Sequence, residues 1–222
     1  MEILFEDAHI AVVIKPPGVP AQPDKTGDED VTALLAKRKN GGFCGVVHRL
    51  DRTVGGVMVY AYTPKAAAAL SAAFAGDGAE KKYLAVAVGE LAARGTLMDY
   101  LLKNERLNVS KVVPRNTPHA KQAMLGFECL AQCQTEAYGG LNLLRIQLQT
   151  GRHHQIRVQL ANAGAPLWGD VKYNPTFARK RGVFPALWAG ELRFRHPATG
   201  EALCFSALPV AEPFHLFQTD SL

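Results

Sequence analysis

Four short segments of the chain are polar where a packed core would be apolar. In His48-Arg49-Leu50-Asp51-Arg52, one carboxylate stands between two guanidinium groups. Neighbouring cations favour the ionised form of a carboxylate, and an ionised carboxylate can attack carbon or accept a proton. Gly55-Gly56 follow, where a missing Cβ lets the backbone approach a ligand closely. The plainer alternative for this segment is a surface salt-bridge cluster. In Gly151-Arg152-His153-His154-Gln155-Ile156-Arg157, two arginines, two histidines and a glutamine meet at the start of a predicted helix, a natural seat for phosphate or carboxylate. His153 and His154 are adjacent, so on a helix they point apart and make a poor metal pair. Lys81-Lys82-Tyr83 could stack a base on the tyrosine while the lysines hold the backbone. Phe194-Arg195-His196-Pro197 reads as a plain hairpin turn.

The elements that must carry these segments alternate between strand and helix. Ile3 to Phe5 and His9 to Ile14 predict two short strands around a turn at Glu6-Asp7, and the prolines of Lys15 to Pro20 predict a loop. Val31 to Lys37 predicts a helix capped by Asp30. Val57 to Ala61 predicts a buried strand, and Thr63 caps a helix that starts at Pro64 and runs to Phe74. Lys82 to Val88 reads as a strand and Leu97 to Val113 as a hairpin or extended arm. Ala123 to Leu130 and Leu141 to Gln149 predict antiparallel strands joined around Tyr138-Gly139-Gly140. His154 to Ala163 predicts a short helix stopped by Gly164, and a hairpin of Glu191 to Phe194 with Ala202 to Ser206 closes the chain. The class is α+β with mostly antiparallel strands, read as one domain over residues 1–222.

Composition narrows the partners. The 222 residues are 48% hydrophobic and 20% charged, as in ordinary globular proteins. The net charge of +5 is compatible with a polyanionic partner. The four cysteines form no C-x-x-C pair, so neither a zinc site nor a disulfide framework is expected. The start carries no secretory signal pattern, and no apolar run is long enough to span a bilayer. A cytoplasmic monomer without membrane contact, metal or cofactor is the expectation.

The polar segments are similar, in order and spacing, to one family. His48-Arg49-Leu50-Asp51-Arg52 resembles the H-R-L-D signature of RluA-type pseudouridine synthases. Ile3 to Pro20 resembles their opening strand pair with its K-P-x-G loop, and Lys82-Tyr83-Leu84-Ala85-Val86 their K-x-Y strand. Thr150 to Arg157 resembles their T-G-R-x-H-Q-I-R motif, Gly164 to Tyr173 their G-x-P-x-x-G-D-x-x-Y, and Ala189 to Pro209 their last hairpin. The similarity runs from about Ile3 to Phe214. It implies a pseudouridine synthase fold: a long mixed, mostly antiparallel sheet flanked by helices, with an RNA cleft at its centre. It also implies the catalytic domain alone, without the small N-terminal RNA-binding domain that many relatives carry.

The resemblance further implies that Asp51 is the catalytic carboxylate, that Tyr83 packs on the target base, and that Arg152 pairs with the carboxylate. His48, Arg49, Arg52, Lys82, His154, Gln155 and Arg157 are the expected RNA contacts. The implied reaction detaches uracil from ribose, rotates it and rejoins it through carbon, in ribosomal or transfer RNA, with no cofactor. A uridine must first leave its stack, at a cost of a few kcal/mol. One departure is Val54-Gly55-Gly56, where the family commonly has T-S-G. A non-catalytic RNA-binding or ribosome-assembly factor on the same fold is the alternative. A phosphodiesterase using His48 and His154 would need paired H-x-T/S motifs, which the sequence lacks.

Overall fold

The computed structural model describes residues 1–217. In chain order the main elements are β1 (Glu2–Glu6), β2 (Ile10–Lys15), α1 (Val31–Arg38), β3 (Gly45–Val46), β4 (Gly55–Ala61), α2 (Pro64–Ala75), β5 (Ala79–Val88), β6 (Arg94–Asn104), β7 (Val109–Val113), β8 (Lys121–Thr135), β9 (Gly139–Leu148), α3 (Gln155–Asn162), β10 (Leu187–Arg195) and β11 (Ala202–Ser206). Single 3-10 turns occur at Pro175–Phe177 and Phe214–Leu216. Two compact units result: Met1–Lys82 with Trp188–Pro209, and Tyr83–Leu187 with the described residues from Val210 onward.

The first unit is a sheet in which β1 pairs β2, β2 pairs β4, and β4 pairs β10. The β4–β10 pairing is parallel, whereas β10 and β11 form the expected antiparallel hairpin. Every residue of β4 is buried, which suits its run Val57-Met58-Val59-Tyr60-Ala61. Ile10, Val12, Val57, Val59, Ala66, Leu70, Leu192 and Phe194 make its core, so α2 contributes through the i, i+4 pair Ala66 and Leu70. Both predicted caps form. Asp30 Oδ1 accepts from the amides of Thr32 and Ala33, and Thr63 Oγ1 from that of Ala66.

Gly55 and Gly56 have a packing role in β4. A Cβ on Gly55 would run into the Trp188 ring, and one on Gly56 (φ +125°) into the backbone of Ala189. The two glycines let β4 and β10 approach closely.

The second unit is an antiparallel array. β6 pairs with β7 and β8, and β8 with β9. The joint at Tyr138-Gly139-Gly140 forms as expected, but β8 continues to Thr135, past its apolar stretch. Leu101, Ala123 and Val158 join α3 to β6 and β8. Gly164, at φ +82°, ends α3 in the left-handed region that glycine adopts without strain.

Candidate active site

In the first unit, Asp51 sits on a tight turn. The Val54 amide donates to the Asp51 carbonyl at 2.9 Å, and Leu50 anchors the turn in the interior. The turn is tied to the loop after β2 by reciprocal contacts through Arg52. The Gly18 amide donates to the Arg52 carbonyl at 2.8 Å, and Arg52 Nε donates back to the Gly18 carbonyl at 2.9 Å. The guanidinium also meets Thr26 at 2.7 Å, Asp24 at 3.3 Å and Asp28. Its charge is thus engaged by two carboxylates other than Asp51.

Lys15 is coupled to Asp51, whose carboxylate attracts its ammonium. Lys15 is fully buried, the last residue of β2 rather than part of the predicted loop. Its Nζ donates to the carbonyls of Val19 at 2.8 Å, Pro16 at 3.0 Å and Arg52 at 3.1 Å. Three donors meet three acceptors, which is the full capacity of an ammonium. Burial pulls its pKa down to about 7, and the charge of Asp51 opposes that fall. Sequence reasoning passed over Lys15 because a lysine beside two prolines looks like loop. The signal was its position at the end of the apolar run Ile10-Ala11-Val12-Val13-Ile14.

His48 and Arg49 have different surroundings. The Val59 amide donates to His48 Nε2 at 3.1 Å, and the ring stacks on Phe74 with centroids 4.4 Å apart. Burial, aided by the charge of Lys81, lowers its pKa to about 3, so the ring is neutral. Arg49 is exposed. Lys82 pairs with Glu191 at 2.8 Å.

In the second unit, Tyr83 is only 6% exposed at the start of a buried stretch of β5. The Thr150 to Arg157 segment is braced by Gln155. Its Oε1 accepts from Thr150 Oγ1 at 2.8 Å and from the Arg152 amide at 2.9 Å, and its Nε2 donates to the Met124 carbonyl at 3.1 Å. Arg152 Nε donates to the Gln122 carbonyl at 2.8 Å, which fixes the arm of an otherwise exposed side chain.

His154 lies in the left-handed region (φ 54°), unusual for a residue with a Cβ. Its Nδ1 lies 2.8 Å from Tyr173 Oη, which accepts from the Ser110 amide at 2.7 Å. Burial, then the charge of Arg157, pushes His154 down to about 2. The ring is therefore neutral, and one tautomer accepts the tyrosine proton at Nδ1 while the other donates to the hydroxyl oxygen. Arg157 is buried and bidentate on Asp170, with Nε to Oδ2 and Nη2 to Oδ1 both at 2.7 Å. His48, His154, Gln155 and Arg157, expected as RNA contacts, are thus bonded within the protein, whereas Arg49 and Arg152 are exposed. Asp170 and Tyr173 belong to a motif that the sequence marked without assigning them a role.

Comparison with known proteins fits this fold and these motifs. Residues 9–162 match the family model described as RNA pseudouridylate synthase. The chain is 32% identical over 224 residues to an uncharacterized RNA pseudouridine synthase, YhcT, of Bacillus subtilis, covering 99% of this chain and 72% of that one. It is 33% identical to the ribosomal large subunit pseudouridine synthase D of Xanthomonas campestris, covering 96% of this chain and 66% of that one. The solved structure of human RNA pseudouridylate synthase domain containing 1 superposes with a TM-score of 0.78 at 22% identity, covering 94% of this chain and 83% of that one, and shows the same fold. The chain belongs to the RNA pseudouridylate synthase family, of the RluA and RluD type, and is an isomerase that converts uridine in RNA to pseudouridine.

Proposed function

We propose that the enzyme acts on structured RNA, ribosomal or transfer, with Asp51 as its catalytic carboxylate. The observation that carries this reading is the hydrogen-bonded Asp51 turn, tied through Arg52 to the β2 loop and coupled to the buried ammonium of Lys15. A carboxylate on such a turn is oriented before substrate arrives, so little reorganisation is needed during reaction. Asp51, ionised, attacks the substrate or removes a sugar proton as the glycosidic bond breaks. Tyr83 offers a ring for the detached uracil, and Arg152 supplies positive charge, its arm held by Gln122. Arg49 contacts the phosphate backbone.

The relative in Xanthomonas is named for the ribosomal large subunit, which makes large-subunit RNA the first substrate to test. We place the enzyme in the cytoplasm, as a monomer. No described helix is long and apolar enough to cross a membrane. The test is incubation with ribosomal RNA and with transfer RNA from cells lacking the protein, followed by mass spectrometry of nucleosides. New pseudouridine at a discrete position in one RNA supports the reading. No new pseudouridine in either RNA contradicts it.

A further inference from the structure

The net charge is unevenly distributed. The first unit has twelve Lys and Arg against twelve Asp and Glu, and the second has thirteen against eight, so the whole excess of +5 lies in the second. Arg157, Arg145 and Lys103 there are paired with Asp170, Glu128 and Glu105. Arg179, Lys180 and Arg181 are not. All three are exposed, and among the described residues none forms an ion pair with a carboxylate. Three consecutive cations without a counter-charge repel one another.

This run is nevertheless built on a fixed base. The Pro175–Phe177 turn is capped by Asn174, whose Oδ1 accepts from the Thr176 amide at 3.1 Å and whose Nδ2 donates to the Leu167 carbonyl at 3.0 Å. The Lys180 amide donates to the Phe177 carbonyl at 2.9 Å. The Lys180 ammonium lies 4.7 Å from the Phe177 centroid and 5.0 Å from that of Tyr138, and donates to Tyr138 Oη at 3.3 Å. The rings stack at 5.3 Å, with Trp168 edge-on to both. Cation–π contacts hold an ammonium without neutralising it. The lysine is therefore ordered yet still fully charged, with an arginine on either side.

The base is also tied to the strand that carries Tyr83. The Trp168 amide donates to the Val86 carbonyl at 2.9 Å, and the Ala186 amide to the Trp168 carbonyl at 2.8 Å. Val86 is three residues beyond Tyr83, about 10 Å along an extended strand. We propose that Arg179-Lys180-Arg181, on its Tyr138-Phe177-Trp168 platform, is an accessory clamp for the phosphate backbone of the substrate RNA. It rests on the reading that this enzyme acts on structured RNA. A polyanion with evenly spaced charges fits three adjacent cations, and preordering lowers the entropy cost when they bind it.

The test compares the wild-type enzyme with R179Q/K180Q/R181Q and with R179Q/R181Q, which leaves the aromatic platform intact. Binding to a ribosomal RNA transcript that the wild type modifies is measured from 50 to 300 mM salt, with turnover at saturating RNA alongside. Each phosphate that the protein no longer neutralises lowers the slope of log affinity against log salt by about 1. The triple variant should have a slope shallower by about 2 to 3 units and the double variant by about 2, with saturated turnover within twofold of wild type. Coincident slopes for all three proteins, with normal wild-type turnover, overturn the clamp and leave the RNA reading intact. A shallower slope in the triple variant alone, together with a lowered melting temperature, assigns Lys180 to folding and also overturns it. A wild type that modifies no RNA instead contradicts the reading on which the clamp rests.

Discussion

Lys15 shows how one buried charge can set the geometry of another. Its ammonium fills three backbone acceptors that belong to two separate stretches of chain, the loop after β2 and the turn bearing Asp51. Lys15→Met keeps the length and removes all three donors, so the Pro16 and Val19 carbonyls lose their lysine partner while that of Arg52 keeps the Gly18 amide; a buried acceptor left unmet costs about 1 to 3 kcal/mol. We expect stability in urea denaturation to fall by about 2 kcal/mol or more and turnover to fall tenfold or more, because the Asp51 turn is no longer tied down. An unchanged midpoint with full activity would show that Arg52 alone holds the turn. At this scale the sequence was partly legible. Asp51, Tyr83 and Arg152 stood out because a recognisable motif surrounds each. Lys15 did not, because its importance comes from burial and from carbonyls up to 37 residues away, which spacing does not reveal. Arg52 misled in the opposite sense: it adjoins Asp51 in sequence but turns to Asp24 and Asp28.

The strands and helices were largely legible from period and punctuation. Asp30, Thr63 and Gly164 mark helix ends through local chemistry, and all three do so in the structure. The parallel pairing of β4 with β10 was not legible, because more than 120 residues separate the strands and no local pattern names a partner. Gly56 records that pairing. At φ +125° a side chain is strained, and its Cβ would overlap the Ala189 backbone, which cannot swing aside. Gly56→Ala should therefore cost more than about 4 kcal/mol or leave the protein insoluble. Gly139 lies at φ +70° in open space, so Gly139→Ala should cost only about 1 to 2 kcal/mol. Denaturation of the two variants side by side checks this. Equal losses of stability would mean that close strand approach is not what Gly56 provides.

Across the molecule, two neutral histidines, His154 buried and His48 half-buried, make stability depend on acid. His48 and His154 have folded pKa values lowered to about 3 and about 2, whereas in the unfolded chain an imidazole titrates near 6.5. Below pH 6.5 the unfolded chain takes up protons that the folded protein refuses, so stability is full above pH 6.5 and falls progressively towards pH 3. Melting temperature should drop steeply between pH 6.5 and 4, and His48→Gln should flatten the slope at some cost in stability at pH 7. Identical slopes for the two proteins would remove His48 from that explanation. The central claim is that Asp51 carries out the chemistry on RNA. It is tested most directly by Asp51→Asn, which removes the charge and keeps the shape. Pseudouridine formation in RNA that the wild type modifies should become undetectable, while RNA affinity and melting temperature stay close to wild type. A folded Asn variant with substantial residual turnover would contradict the claim.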